Sequence, residues 1–163
     1  MDIQSTLDNL AYQTDKRTSV FEIEVQEFMN STLSLSGLLL EESQLENLHQ
    51  SFPNLKLETS SIRVLSHGSL ARVHVATNLT GLYEKPTFGI PLSSELTYGT
   101  ELEILDEQGG WVFTRQHDGY LGWVYKPYLS EGTQAAATHL VIAPSHELRA
   151  QPDMTSEVFT RLM

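Results

Sequence analysis

Apolar and polar positions alternate from Val20 to Phe28, and Phe21, Ile23 and Val25 fall on one side of the chain. A period of two predicts a β-strand. Asn30 and Ser31 suit a tight turn, and TLSLSGLLL at residues 32–40 reads as the returning strand. The period then changes. Leu45, Leu48 and Phe52 recur at helical spacing over residues 41–52, with Glu41, Glu42 and Glu46 toward the favourable N-terminal end and Pro53 as the stop. Residues 54–58 and 62–65 read as two further strands, with Thr59, Ser60 and Ser61 between them. Ahead of this unit, residues 2–12 predict a short helix with Asp2 at its start and Ile3, Leu7 and Leu10 on one face. A polar linker follows at residues 14–18. Helix and linker at 1–17 therefore precede a small α+β unit at 18–69.

Past the break Ser66-His67-Gly68-Ser69 the pattern is all β. Ala71, Val73 and Val75 alternate inward, and residues 78–90 read as a long loop containing Gly81, Pro86 and Gly89. Residues 101–104 alternate again, residues 106–110 form a glycine-rich turn, and residues 111–115 return. His117-Asp118-Gly119 makes a hairpin turn, residues 120–124 a further strand, and residues 126–129 a closing turn. One long loop followed by tightly connected short strands is the order of an SH3-like barrel, here at residues 70–132. The expected fold class is α+β, mainly β.

Part of this pattern recurs. Gly81 to Pro86 set against Glu147 to Pro152 gives an offset of 66, and Ser94-Glu95-Leu96 set against Ser156-Glu157-Val158 gives 62. The expectation is an incomplete second SH3-like repeat at residues 137–163, with a loop four residues shorter than the first. A partial barrel of about 25 residues cannot bury enough surface to fold alone. It is expected to pack on the first barrel, to pair with another chain through its strand edges, or to stay loose.

Charge and composition narrow the partners. The 163 residues carry a formal net charge of -11, which disfavours nucleic acid and anionic membrane as partners. The absence of cysteine excludes disulfides, thiolate metal sites and a cysteine nucleophile within this sequence. His67 and His74 lack metal-ligand spacing, and His117 lies in a turn, so neither metal nor cofactor is expected. The first residues, MDIQSTLDNL, lack the basic start and apolar core of a secretory signal, and no apolar run approaches the roughly 20 residues of a membrane span. A cytoplasmic location is the expectation.

The segments ATNLTGLYEKP, SSELTYGTELEIL, GGWVFTRQ and above all DGYLGWVYKPYL resemble a bacterial SH3-like domain. More narrowly, residues 70–163 resemble the paired SH3-like barrels that precede the papain-like domain in cell-wall peptidases of the NlpC type. The resemblance implies cleavage of murein stem peptides after D-glutamate, with signal-less members serving peptide recycling in the cytoplasm. It implies no catalysis by this sequence, which has no cysteine and no catalytic domain, and it suggests a truncated version of a longer peptidase. What carries over is recognition of the free amino end of L-alanine in an L-Ala-γ-D-Glu peptide. Glu84 matches an acidic residue that pairs with the ligand ammonium, and Tyr120 matches a tyrosine whose hydroxyl bonds the same end. A carboxylate and a phenol are apt partners for an ammonium leaving water.

Each candidate has a plainer reading. Glu84 reads equally as an exposed carboxylate, and Tyr120 as a half-buried packing residue beside a turn. Trp111 and Trp123 read as barrel core in preference to a ligand platform, while Tyr83 and Tyr128 are candidates to line the groove. The favoured reading is a non-catalytic peptide-recognition module. The alternative is a docking module without a ligand of its own, joining the missing catalytic domain or self-associating through the incomplete repeat.

Overall fold

The structure is a computed structural model that describes residues 2–132, 142–143 and 145–162. It divides into two compact units, Met1–Leu70 and Ala71–Met163. The architecture is the expected mainly-β α+β arrangement.

In the first unit, helix α1 (Ile3–Tyr12) is capped by Asp2, whose carboxylate accepts the Gln4 N–H at 3.2 Å. Strands β1 (Phe21–Met29) and β2 (Thr32–Leu39) form an antiparallel hairpin. Asn30 and Ser31 at its tip have φ of +48° and +61°, the left-handed pair that matches strand twist in a two-residue turn. Helix α2 (Glu42–Ser51) then crosses over to β3 (Lys56–Val64), which lies parallel to β2. The order β1-β2-β3 and both helices enclose Leu7, Leu33, Leu35, Leu39, Leu48 and Phe52. The two short strands expected at 54–58 and 62–65 are one continuous strand. Thr59-Ser60-Ser61 holds neither Gly nor Pro, and the β2 ladder carries the segment through with one register shift opposite Ser34–Ser36. A similar shift follows between Val25 and Glu27; Val25 keeps the regular pairing of Phe21 and Ile23 with β2, and so their face, but is more exposed than either.

The second unit holds β4 (Arg72–Val75), β5 (Leu79–Tyr83), β6 (Leu92–Thr97), β7 (Glu101–Gln108), β8 (Trp111–Gln116), β9 (Leu121–Tyr125), a 3₁₀ turn Lys126–Tyr128 and β10 (Leu129–Glu131). Their order in one antiparallel sheet is β10-β4-β7-β8-β9-β5-β6. Val73 and Val75 near one end of that order share a single buried cluster with Leu82 and Leu96 at the other end. The sheet therefore wraps round its core in the SH3-like manner, with Leu102 and Val124 between. The expected loop at 78–90 is corrected: residues 79–83 are strand, and the loop is residues 84–91. Gly81 does not break β5, because a side chain there would strike Leu92 Cδ2 at 2.4 Å and the Tyr83 ring at 3.0 Å. The glycine makes room for those neighbours instead. The expected strand at 101–104 extends to Gln108, and the turn tightens to Gly109-Gly110, both at positive φ.

Farther along, β11 (His146–Arg149) and β12 (Val158–Leu162) form a two-stranded hairpin. Its pairing copies β5–β6. Leu82 faces Ser94 and Tyr83 faces Leu92 across a register shift; Leu148 faces Thr160 and Arg149 faces Val158 across the same shift. All four positions differ by 66. The shorter second loop read from the Ser-Glu-aliphatic match is thus overturned, since strand register, not that tripeptide, sets the correspondence. Residues 137–141, 144 and 163 of the expected second repeat lie outside the described residues.

Candidate functional site

Side chains on β8 and β9 alternate between two faces of the sheet. Val112, Thr114 and Val124 point to the interior and are fully buried. Trp111, Phe113, Trp123 and Tyr125 take the opposite face, and the register sets Trp111 against Tyr125 and Phe113 against Trp123. Phe113 and Trp123 stack with centroids 5.1 Å apart, and Trp111 and Tyr125 meet at 5.4 Å. Neither tryptophan belongs to the interior cluster: Trp111 is buried, in keeping with a core residue, but on the opposite face of the sheet, and Trp123 is only half-buried there. Trp111 is only 7% exposed, because other rings cover it.

Those rings come from three further elements. Tyr83 at the end of β5 meets Trp111 edge to face at 5.5 Å. Tyr128 of the 3₁₀ turn meets Tyr125 at 5.3 Å. Phe88 of the β5–β6 loop lies against Trp111 at 4.7 Å, Tyr125 at 5.3 Å, Tyr83 at 5.6 Å and Tyr128 at 6.4 Å. The result is a continuous aromatic surface whose rims, Phe88 and Tyr128, are exposed. Edge-to-face pairs of this kind are worth about 0.5–1.5 kcal/mol beyond the area they bury. Tyr83, Trp111 and Tyr128 thereby lie on one aromatic surface, while Trp123, the cross-strand partner of Tyr83, sets its ring against Phe113.

The close approach of β5 to β9 rests on Gly122. A side chain there would lie 2.6 Å from Leu82 Cγ and 2.9 Å from the Tyr83 carbonyl oxygen. Sequence reasoning does not single out Phe88, Phe113 or Tyr125. Tyr125 is within its reach, since Leu121, Trp123 and Tyr125 alternate along one strand face.

Glu84 follows Tyr83 and is exposed at the start of the loop. Three other barrel glutamates are engaged, Glu101 and Glu103 with Arg72, Glu103 also with Arg115, and Glu107 with Lys126, whereas Glu95 on β6 is exposed and its carboxylate, among the described residues, has no hydrogen-bond or ion-pair partner. Among the described residues Glu84 has no hydrogen-bond or ion-pair partner. Arg115 and then Arg72 hold the Glu103 carboxyl below the usual carboxylate range, their hydrogen bonds and charges outweighing partial burial.

Tyr120 lies apart from the aromatic surface. Its ring packs against the interior cluster, its N–H donates to Asp118 Oδ1 at 3.2 Å, and its carbonyl accepts the Gln116 N–H at 2.9 Å. A cleft of about 450 Å³ opens nearby, lined by Arg72, Glu101, Glu103, Arg115, Gln116 and His117. Its charges are already paired with one another. Among the described residues no group of three or more potential metal ligands converges, and no helix is long and apolar enough to cross a membrane.

The copied hairpin does not repeat the site. With the offset of 66, Tyr83, Glu84 and Phe88 correspond to Arg149, Ala150 and Met154.

Residues 82–126 match the family model of the bacterial dipeptidyl-peptidase SH3 domain. The match spans β5 to β9 and takes in Tyr83, Glu84, Phe88, Trp111, Tyr120, Trp123 and Tyr125. The chain thus carries a bacterial SH3 domain of a kind found with peptidases. Comparison with curated proteins finds no match.

Proposed function

We propose that this SH3 domain is a non-catalytic module that grips the free amino end of a cell-wall stem peptide of the L-Ala-γ-D-Glu type. The observation that carries the reading is Glu84: an exposed carboxylate, without a partner among the described residues, beside an aromatic surface and inside the family match. An ammonium group supplies the charge that Glu84 lacks, and the flanking rings shield the pair from water on one side. Tyr120 serves the same end of the peptide through its hydroxyl, while its ring rests on the barrel interior. Peptide-bond cleavage belongs to a papain-like partner domain of the NlpC type acting in murein-peptide recycling in the cytoplasm, because this sequence has no cysteine.

Binding by one wall of a site is weak and falls with added salt. Glu84→Gln keeps the shape and removes the charge. Isothermal titration of L-Ala-γ-D-Glu against the Glu84→Gln variant is expected to give about two- to tenfold weaker binding, the equivalent of about 0.5–1.5 kcal/mol. Equal affinity for both proteins overturns the assignment.

A second reading, a docking module, is favoured by Leu148, Val158 and Phe159, which stand exposed on the β11–β12 hairpin. It makes self-association depend on that hairpin. Sedimentation of the chain with Leu148 and Phe159 changed to Ser distinguishes it, since only a docking role makes association sensitive to that change.

A further inference from the structure

The loop between β5 and β6, residues 84–91, carries Glu84 and has little else to fix it. Its ends are set by the pairing of Tyr83 with Leu92. Within it, the Thr87 N–H donates to the Lys85 carbonyl at 2.7 Å and the Thr87 hydroxyl to the Phe88 carbonyl at 3.4 Å. Both bonds close inside the loop. Among the described residues no backbone hydrogen bond ties residues 84–91 to the rest of the sheet. Gly89 follows at φ +79° with open space where a side chain would stand, so the apex projects into solvent.

Phe88 is the exception. Its ring contacts four aromatic side chains drawn from β5, β8, β9 and the 3₁₀ turn, although half of its surface is exposed. An apolar ring in a solvent-facing loop gains those contacts only when the loop lies down on the sheet. Pro86 and Pro91 restrict the backbone on either side, so fixing Phe88 restricts the whole segment back to Glu84.

We propose that Phe88 is the latch of this loop and the positioning residue for Glu84, an inference that rests on the recognition reading above for its consequence though not for its mechanics. Phe88 holds the loop against Trp111 and Tyr125, so that the Glu84 carboxylate meets an ammonium group in one place. The copied hairpin bears on this directly: where Glu84 is replaced by Ala150, the latch position holds Met154, which stands 82% exposed. Acid and latch are absent together there.

The test uses the full chain and the variants Phe88→Ala, Phe88→Leu and Phe88→Tyr. Phe88 is half-exposed, and resonance dispersion of the β8 and β9 amides checks that each variant keeps its barrel. Backbone ¹⁵N relaxation at Glu84, Lys85 and Thr87 reads the latch without any ligand. Order parameters are expected to drop below about 0.6 in Phe88→Ala, to fall partway in Phe88→Leu, and to return to wild-type values in Phe88→Tyr. Titration with L-Ala-γ-D-Glu is expected to follow them, with binding about two- to tenfold weaker in Phe88→Ala and restored in Phe88→Tyr. Unchanged order parameters in Phe88→Ala overturn the latch. A loosened loop with unchanged affinity, while Glu84→Gln does weaken binding, overturns the positioning role. If Glu84→Gln has no effect, the recognition reading has failed, and the relaxation data alone decide the latch.

Discussion

Tyr83 and Trp123 face each other across β5 and β9, and theirs is the one Cα pair that joins those strands among the described residues. The pairing closes the aromatic surface on the β5 side, and it exists because residue 122 has no side chain. A methyl group at Gly122 would enter the Leu82 side chain at 2.6 Å and press on the Tyr83 carbonyl oxygen at 2.9 Å. Gly122→Ala is therefore expected to destabilise the barrel by about 1–3 kcal/mol, the usual cost of overpacking a filled site. Both tryptophans lie in this unit, so urea unfolding followed by tryptophan fluorescence reads the effect. A midpoint unchanged from wild type would show that the strands separate without cost.

The pH dependence of the barrel follows from Glu103. Arg115 Nε donates to its Oε2 at 2.8 Å and Arg72 reaches its Oε1 at 3.2 Å, and together they lower its pKa from 4.5. A carboxyl with a folded pKa below its unfolded one stabilises fully above the unfolded value, and the contribution is lost as pH falls through the folded value. Arg115→Gln should consequently lose most relative to wild type near neutral pH, with the gap narrowing below about pH 4.5. Urea midpoints of the two proteins between about pH 3 and about pH 7 check this. A gap that stays constant throughout that range contradicts it.

In the first unit, Gln44 joins the start of α2 to the strand region. Its Oε1 accepts the N–H groups of Leu40 and Glu41, both at 2.8 Å, and its Nε2 donates to the Val20 carbonyl at 3.0 Å and to Ser19 Oγ at 3.2 Å. Gln44→Ala leaves the Glu41 N–H without its acceptor, while the Leu40 N–H keeps the Val20 carbonyl at 3.1 Å, and is expected to cost about 1–2 kcal/mol. Gln44→Glu retains the acceptor and should cost less. Thermal unfolding monitored by far-ultraviolet circular dichroism ranks the three proteins, and a Gln44→Glu loss equal to that of Gln44→Ala would argue against the acceptor role.

Where a side-chain pattern has a period, the sequence is readable. The alternation at Phe21 and Ile23, the helical spacing of Leu45, Leu48 and Phe52, and the Gly109-Gly110 turn all have direct counterparts in the fold. The pattern misleads where a small residue reads as punctuation. Gly81 has the look of a loop residue, yet it sits in β5 to clear space for Leu92 and the Tyr83 ring. Thr59-Ser60-Ser61 has the look of a break, yet a parallel neighbour carries it as strand. The site divides along the same line. Trp111 and Trp123 are visible as residues, but which face of the sheet they take depends on register with Tyr125 and Phe113, which is a tertiary property. Phe88 has no signal at all, because one ring among prolines, threonine and glycine has no period, and its partners are set by three other strand ends.

The resemblance of DGYLGWV to a bacterial SH3 domain agrees with the family match over residues 82–126, and Glu84 falls inside it. What distinguishes amino-end recognition from adhesion to an aromatic surface is dependence on the ligand's positive charge. The most direct measurement is a pair of ¹⁵N chemical-shift titrations with L-Ala-γ-D-Glu and with its N-acetylated form, both carried to millimolar concentration. Expected are shifts at Glu84, its loop neighbours and Tyr120 with the free peptide, weakened by salt, and none with the acetylated one. Equal responses to both peptides, or silence at Glu84 and Tyr120 with the free one, would contradict recognition of the amino end.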